Sequence, residues 1–145
     1  MIKSGKNTQE KVDIPDIIEL KEVFDLMDDW EDRYRYLIDL GSKLPLMDEY
    51  LKNDQTKVEG CTSQVWMVLE DTPDGSISFL ADSDAHIVRG LIAVLYAMFY
   101  GVTRENARDI DVEQNFKDLG LESHISPNRR NGFFAMVSRL RTLAG

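Results

Sequence analysis

Cysteine is all but missing from this chain: Cys61 is the only one in 145 residues. A single thiol excludes an internal disulfide framework. It also excludes a zinc site or iron–sulfur cluster built from cysteines of this chain alone. A long apolar run is missing too. The longest, LIAVLYAMFY at residues 91–100, is too short to cross a bilayer as a helix. The opening MIKSGKNTQEKVD lacks the apolar core of a secretion signal. These absences predict a cytoplasmic protein with no membrane segment. Positive charge is scarce as well: 17 Lys and Arg stand against 26 Asp and Glu, a formal net charge of −9. Nucleic acids and anionic membranes need a positive field, so neither is an expected partner. Internal repeats, low-complexity tracts and interdomain linkers are absent.

The scarce positive charge is unevenly placed. Residues 126–145 hold Arg129, Arg130, Arg139 and Arg141 and no acid, which leaves −13 on the rest. The expectation is a basic last helix that rests on an acidic body or docks a partner. The opposite charge clusters at Asp25, Asp28, Asp29, Glu31 and Asp32, which reads as a solvated helix face rather than a metal site.

What is present is a globular composition, 43% hydrophobic and 30% charged, of single-domain size. Residues 1–15 are read as a flexible polar lead and 16–145 as the domain. Ile17, Leu20, Phe24 and Met27 recur at helical spacing, and a second amphipathic run carries Trp30, Tyr34, Leu37 and Ile38. Gly41 and Pro45 punctuate its end. Tyr50 and Leu51 form a short segment. Residues 63–69, SQVWMVL, suit a strand; TPDG at 72–75 suits a turn; Ile77, Phe79 and Ala81 alternate on a second strand. A third strand over residues 57–59 would complete a small antiparallel sheet of about three strands.

The most hydrophobic segment follows, with Ile87, Leu91, Val94, Leu95 and Met98 as its inner stripe. Val88, Ile92, Tyr96 and Phe99 predict cover on further sides. Asp82 or Ser83 is expected to cap this helix, Asp84 to favour its positive end and Gly101 to stop it. Thr103 caps a short helix, residues 111–119 form another, and Ser126-Pro127 opens the last, with Phe133, Met136, Val137, Leu140 and Leu143 in register. The order of helices, hairpin and helices predicts one α+β domain, its sheet held between N- and C-terminal helices.

Cys61 stands in VEGCTSQVWM, after a glycine and before the hydroxyls of Thr62 and Ser63. A lone cysteine is ordinarily a small core residue. This one falls at a turn where Gly60 admits unusual backbone angles, and free N–H groups of a turn can favour the nucleophilic thiolate. Only two imidazoles are on offer. His86 falls in the first turn of the hydrophobic helix and reads as a packing residue; His124, in the polar SHISPN loop, is freer to act.

The sequence Gly60-Cys61, followed by Ser63-Gln64-Val65-Trp66, resembles the signature of the SufE (SufE/CsdE-like) family of sulfur-acceptor proteins. Trp30, Glu31, Arg33, Tyr34, Leu37 to Leu40, Gly41, Leu44 and Pro45 resemble its first helical block. Asp82-Ser83-Asp84-Ala85 with Ile87-Val88 and Gly90 to Val94 resemble the start of its central helix. His124, Ser126-Pro127, Arg129 and Gly132 resemble its C-terminal block. The four blocks stand in order over residues 16–144. Thr62 departs from the family's usual glutamine, and the polar N-terminus is longer.

The resemblance implies a SufE/IscU-like fold and a role in iron–sulfur cluster assembly. Cys61 would accept persulfide sulfur from a SufS/CsdA-type cysteine desulfurase, raise that enzyme's turnover, and pass the sulfur to a SufBCD-like scaffold complex. The chain would act as activator and co-substrate rather than as a stand-alone enzyme. Pyridoxal phosphate would belong to the desulfurase, with no cofactor or metal held here, and a weak homodimer is compatible with this role. Gly60, Thr62, Ser63, Gln64, Trp66, Asp84, His124 and Arg129 are the loop and partner-contact candidates. One accepting thiol suffices for such exchange, and a second nearby would turn the persulfide into a disulfide. Two other readings stand beside it: a single-cysteine thiol transferase or peroxidase helped by Arg129, and a regulatory module that binds a desulfurase with Cys61 inert.

Overall fold

The computed structural model describes residues 13–145. All but the last three residues of the expected polar lead therefore lie outside the described residues. Helix α1, Ile17–Asp25, starts at Asp16, whose carboxylate accepts from Glu19 N at 2.9 Å. Helix α2, Trp30–Ser42, starts at Asp29 in the same way through Glu31 N at 3.0 Å. Such caps satisfy amides that a helix leaves open. Asp29 thereby gives one member of the acidic run a local structural task.

A 3-10 turn, Glu49–Leu51, leads towards the hairpin. Strands β1, Val65–Glu70, and β2, Ser78–Ser83, pair antiparallel, with Val65 opposite Ser83 and Glu70 opposite Ser78. The expected third strand shrinks to an isolated bridge between Lys57 and Trp66. The backbone bonds Val58 N to Val65 O, 2.8 Å, and Met67 N to Thr56 O, 2.9 Å, hold that bridge. It cannot lengthen, because turns close in on both sides. Asn53 Oδ1 accepts from Gln55 N and Thr56 N before it, and Gly60 takes φ 91° after it.

Helix α3, His86–Phe99, runs through the centre, and only its His86 and Arg89 escape burial. The expected caps do other work. Asp82 and Ser83 finish β2, and the helix begins after Ala85 with no side-chain cap. Ser83 Oγ accepts from Ala85 N at 3.2 Å, while Asp84 turns back to the Cys61 loop. His86, expected to pack, is exposed. Gly41 does not end α2 either. A Cβ there would lie 2.8 Å from Gly90 N, and one on Gly90 would lie 2.8 Å from Leu37 O. Two glycines let α2 and α3 cross backbone to backbone.

Three short helices follow: α4, Arg104–Arg108, capped by Thr103; α5, Val112–Asp118, capped by Asp111; and α6, Leu121–His124, which hydropathy did not signal. Helix α7, Pro127–Ala144, is capped by Ser126 and buries Phe133, Met136, Val137 and Leu140. Its arginines do not rest on acids. Arg139 donates to Gln55 O at 2.6 Å and Lys57 O at 3.1 Å, and Arg141 donates to Ile110 O at 2.8 Å. The basic helix is thus fastened to backbone carbonyls. Among the described residues no helix is long and apolar enough to cross a membrane.

Candidate functional site

One stretch of chain, residues 55–64, is laid along one side of α7. Arg139 holds its start by Gln55 and Lys57. One turn back along the helix, Ala135 meets Gly60, where an added Cβ would come 3.3 Å from the Ala135 methyl. A further turn back, Gly132 faces Cys61, and a Cβ on Gly132 would lie 3.5 Å from Sγ. Spacing of three to four residues puts 132, 135 and 139 on one helix face. Small residues at 132 and 135 give the loop its close seat. Asp84 Oδ1 anchors the far end by accepting from Gln64 N at 3.1 Å.

Cys61 therefore sits half-buried in a cleft between this loop, α3 and α7. Thr62, Ser63, Val88, Leu91, Asn128, Arg129, Gly132, Phe133 and Met136 complete the walls. About 20 Å³ of free space remains, roughly enough for a water-sized group. The thiol's single polar contact is Sγ to Gly132 O at 3.6 Å, a weak S–H donation. Burial pushes the Cys61 thiol up from its ordinary pKa, and no cation offsets it. In the isolated protein the sulfur is thus a sheltered thiol rather than a ready thiolate. The turn does not supply the thiolate-stabilising amide expected from its sequence.

The expected site residues divide cleanly. Thr62, Ser63 and Arg129 join Cys61 at the cleft, Gly60 precedes it against Ala135, and Gln64 and Asp84 clasp each other further along the loop. Trp66 lies beyond, half-buried, with Lys52 Nζ 5.4 Å from its ring centre. His124 is not among the cleft residues. Its ring stacks on Trp30 at 4.0 Å between centroids, and its Nδ1 lies 3.0 Å from Gly120 O. Asn128 and the apolar wall of Val88, Leu91, Phe133 and Met136 were not foreseen as site residues. A glycine inside an apolar helix, as at Gly132, is the signal that marks a close approach there.

Behind the hairpin lies a second polar arrangement. Asp82 is buried, 9% exposed, and receives Lys52 Nζ at 2.8 Å, Arg89 Nε at 2.8 Å and Ser83 N at 2.8 Å. Lys52 also meets Glu49 at 3.0 Å. Burial alone would raise the Asp82 pKa. The hydrogen bonds from Lys52, Arg89 and Ser83 N outweigh it and hold the carboxyl below the usual range.

The chain matches the family described as SufE, Fe-S metabolism associated domain, over residues 18–144. Among similar curated proteins is an uncharacterized SufE-like protein of Rhizobium meliloti. It is 44% identical over 124 residues, which cover 83% of this chain and 89% of the relative. Another, from Rhizobium etli, is 44% identical over 121 residues and covers 81% and 82% respectively. The solution structure of a hypothetical protein from Thermus thermophilus shares the fold with a TM-score of 0.73. It is 19% identical and covers 90% of this chain and 94% of its own.

Proposed function

This chain belongs to the SufE family of Fe–S metabolism associated domains, and from that premise we propose that it is a sulfur acceptor whose Cys61 takes a persulfide sulfur from a cysteine desulfurase. The observation that carries this reading is the seat of the thiol. The only cysteine lies at the lip of a cleft, where the backbone of Gly60 and the absence of a side chain on Gly132 leave it room.

The transfer is an exchange. The Cys61 thiol loses its proton to solvent, and its thiolate attacks the outer sulfur of the donor persulfide. The donor's S–S bond breaks, its cysteine leaves as a thiolate and takes up a proton, and a new S–S bond forms on Cys61. One electron pair moves through each centre and no external oxidant or reductant is consumed. The cleft then shelters the carried sulfur: its free space of about 20 Å³ suits one further atom rather than a bulky reagent. In this role the chain acts in the cytoplasm as partner of a SufS/CsdA-type desulfurase and donor to a SufBCD-like scaffold, and pyridoxal phosphate resides in the desulfurase. The rim of Ser63, Gln64 and Asp84 beside the cleft supplies the docking face.

The peroxidase reading fits less well. A peroxidatic cysteine needs a stabilised thiolate, whereas burial raises this one and no cation counters it. The reading is tested by weighing the intact protein after incubation with a desulfurase and cysteine. Whole sulfur atoms removable by reductant should appear on the native chain and not on Cys61→Ser. Equal gain by the serine variant would assign the nucleophile elsewhere. Undiminished stimulation of sulfur transfer by that variant would leave the protein a regulator.

A further inference from the structure

Arg139 of α7 spends its hydrogen bonds on the segment that leads to the thiol. Its Nη2 donates to Gln55 O at 2.6 Å and its Nη1 to Lys57 O at 3.1 Å. The carbonyl between them, Thr56 O, turns the other way and accepts from Met67 N of β1 at 2.9 Å. Residues 55–58 are thus clasped between a helix and a strand, with alternate carbonyls serving each. A guanidinium fork is planar and rigid, so two bonds from it fix both the place and the tilt of this segment.

The two fasteners do different work. The bonds to β1, Met67 N to Thr56 O and Val58 N to Val65 O at 2.8 Å, join the two ends of the loop to each other. Arg139 joins the loop to α7, the wall on which Cys61 rests. Among the described residues, the other hydrogen bond between residues 55–64 and α7 is the weak contact of Cys61 Sγ with Gly132 O at 3.6 Å. Gly60 meets Ala135 and Cys61 meets Gly132, so the chain runs back along the helix from 139 to 132. Seven residues of helix rise about 10 Å, and the four steps from Lys57 to Cys61 reach at most about 14 Å. Little slack remains, so the point at which Lys57 is held sets how deep the thiol sits. Packing does not require an arginine here. The buried face of α7 is made by Phe133, Met136, Val137 and Leu140, and Arg139 lies half-buried beside it. No carboxylate of the described residues pairs with Arg139, although the chain is strongly acidic.

We propose that Arg139 is a positioning residue for Cys61: by holding the carbonyls of Gln55 and Lys57 against α7, it keeps the thiol seated on Gly132 inside its cleft. The use of such a seat rests on the acceptor reading, in which the sulfur is sheltered until a desulfurase docks. The seat itself does not.

The test compares three variants of the full chain with the native protein. Arg139→Met keeps an apolar stem and removes every donor. Arg139→Lys keeps the charge and loses the fork. Arg141→Met is the control, because Arg141 lies on the same helix and also donates to a carbonyl, Ile110 O at 2.8 Å, away from the loop. Alkylation of Cys61 by iodoacetamide is followed across pH, beside denaturant unfolding. Arg139→Met should react about threefold faster or more near neutral pH, with its midpoint fallen back towards the ordinary value of about 8.5. Arg139→Lys should lie between, and Arg141→Met should match the native chain. Arg129, the one charged residue lining the cleft, is kept throughout, so a shift of the midpoint reports the burial of the thiol. A native rate and midpoint in Arg139→Met overturn the proposal. Equal acceleration in Arg141→Met overturns it too, since Arg139 would then be general support for α7. If Arg139→Met does not fold, Arg139→Lys decides, and a native rate and midpoint there overturn the proposal. Alkylation needs no desulfurase, so a native chain that gains no labile sulfur would defeat the acceptor reading and leave this result standing.

Discussion

Asp82 closes β2 and is locked: Lys52, Arg89 and its neighbour's amide all donate to it. Cys61, a short way ahead of β1, is drawn from solvent too, but it touches one carbonyl at 3.6 Å. The Cys61 contact is also the only side-chain hydrogen bond made by residues 59–63 among the described residues. Both groups are desolvated, yet their pKa values move in opposite directions, because one is repaid with charged partners and the other is not. The contrast separates scaffold from moving part. A buried carboxylate with three donors is costly to disturb. A thiol with one weak contact is cheap to release, and the loop that carries it is fastened on either side of residues 59–63, by Arg139 and the Val58 N–Val65 O bond before them and by Asp84 after them.

The contrast breaks most severely at Asp82. Asp82→Ala leaves Lys52 and Arg89 without their shared acceptor and should cost about 3–5 kcal/mol, measured by denaturant unfolding. The pH dependence carries the same sign. The folded carboxyl has a depressed pKa, so its contribution is present above the unfolded value of about 3.9 and is lost as pH falls through the folded one. Acid titration of stability should show that loss in the native chain and not in Asp82→Asn.

A smaller effect sharpens the other side of the comparison. Asp84→Ala removes the clasp on Gln64 N and should cost about 1 kcal/mol in unfolding, while making Cys61 react faster with an alkylating agent. Smaller still is Cys61→Ser, expected to change stability by less than about 1 kcal/mol, since a hydroxyl of similar size replaces a half-buried thiol that makes one weak contact. For the thiol the pH sign reverses. Its raised folded pKa gives stability that is whole below the unfolded value of about 8.5 and is lost as pH rises through the folded one. The alkaline arm of the stability curve should therefore be gentler in Cys61→Ser than in the native chain.

The sequence made the two regions unequally legible. Hydropathy located α3 because its stripe is apolar on every side, and Ser126-Pro127 marked the start of α7 because a cap and a proline act locally. The Cys61 motif pointed to the site because a glycine before a lone cysteine is a local arrangement too. The Asp82 cluster was hidden: Lys52 lies thirty residues before Asp82, and Arg89, seven residues after it, is on the far side of the strand-to-helix junction, so no spacing rule pairs them. Asp82 was instead read as a helix cap, since a carboxylate ahead of an apolar run fits both uses until β2 is seen to extend to Ser83. Gly41 misled for a related reason. Glycine ends helices and also lets them touch, and only the facing Gly90 decides between the two. His124 looked free because its loop is polar, but its ring is spent on Trp30.

If burial holds Cys61 back in the free chain and the proposed desulfurase partner releases it, one rate will show it. Alkylation of Cys61 should be measured across pH in the free protein, and again with a SufS-type desulfurase whose own persulfide-forming cysteine has been replaced. The account predicts slow reaction in the free chain, with a midpoint above about pH 8.5, and a marked acceleration when the desulfurase is added. A free chain that reacts as fast as a small-molecule thiol, with no change on adding the partner, would contradict it.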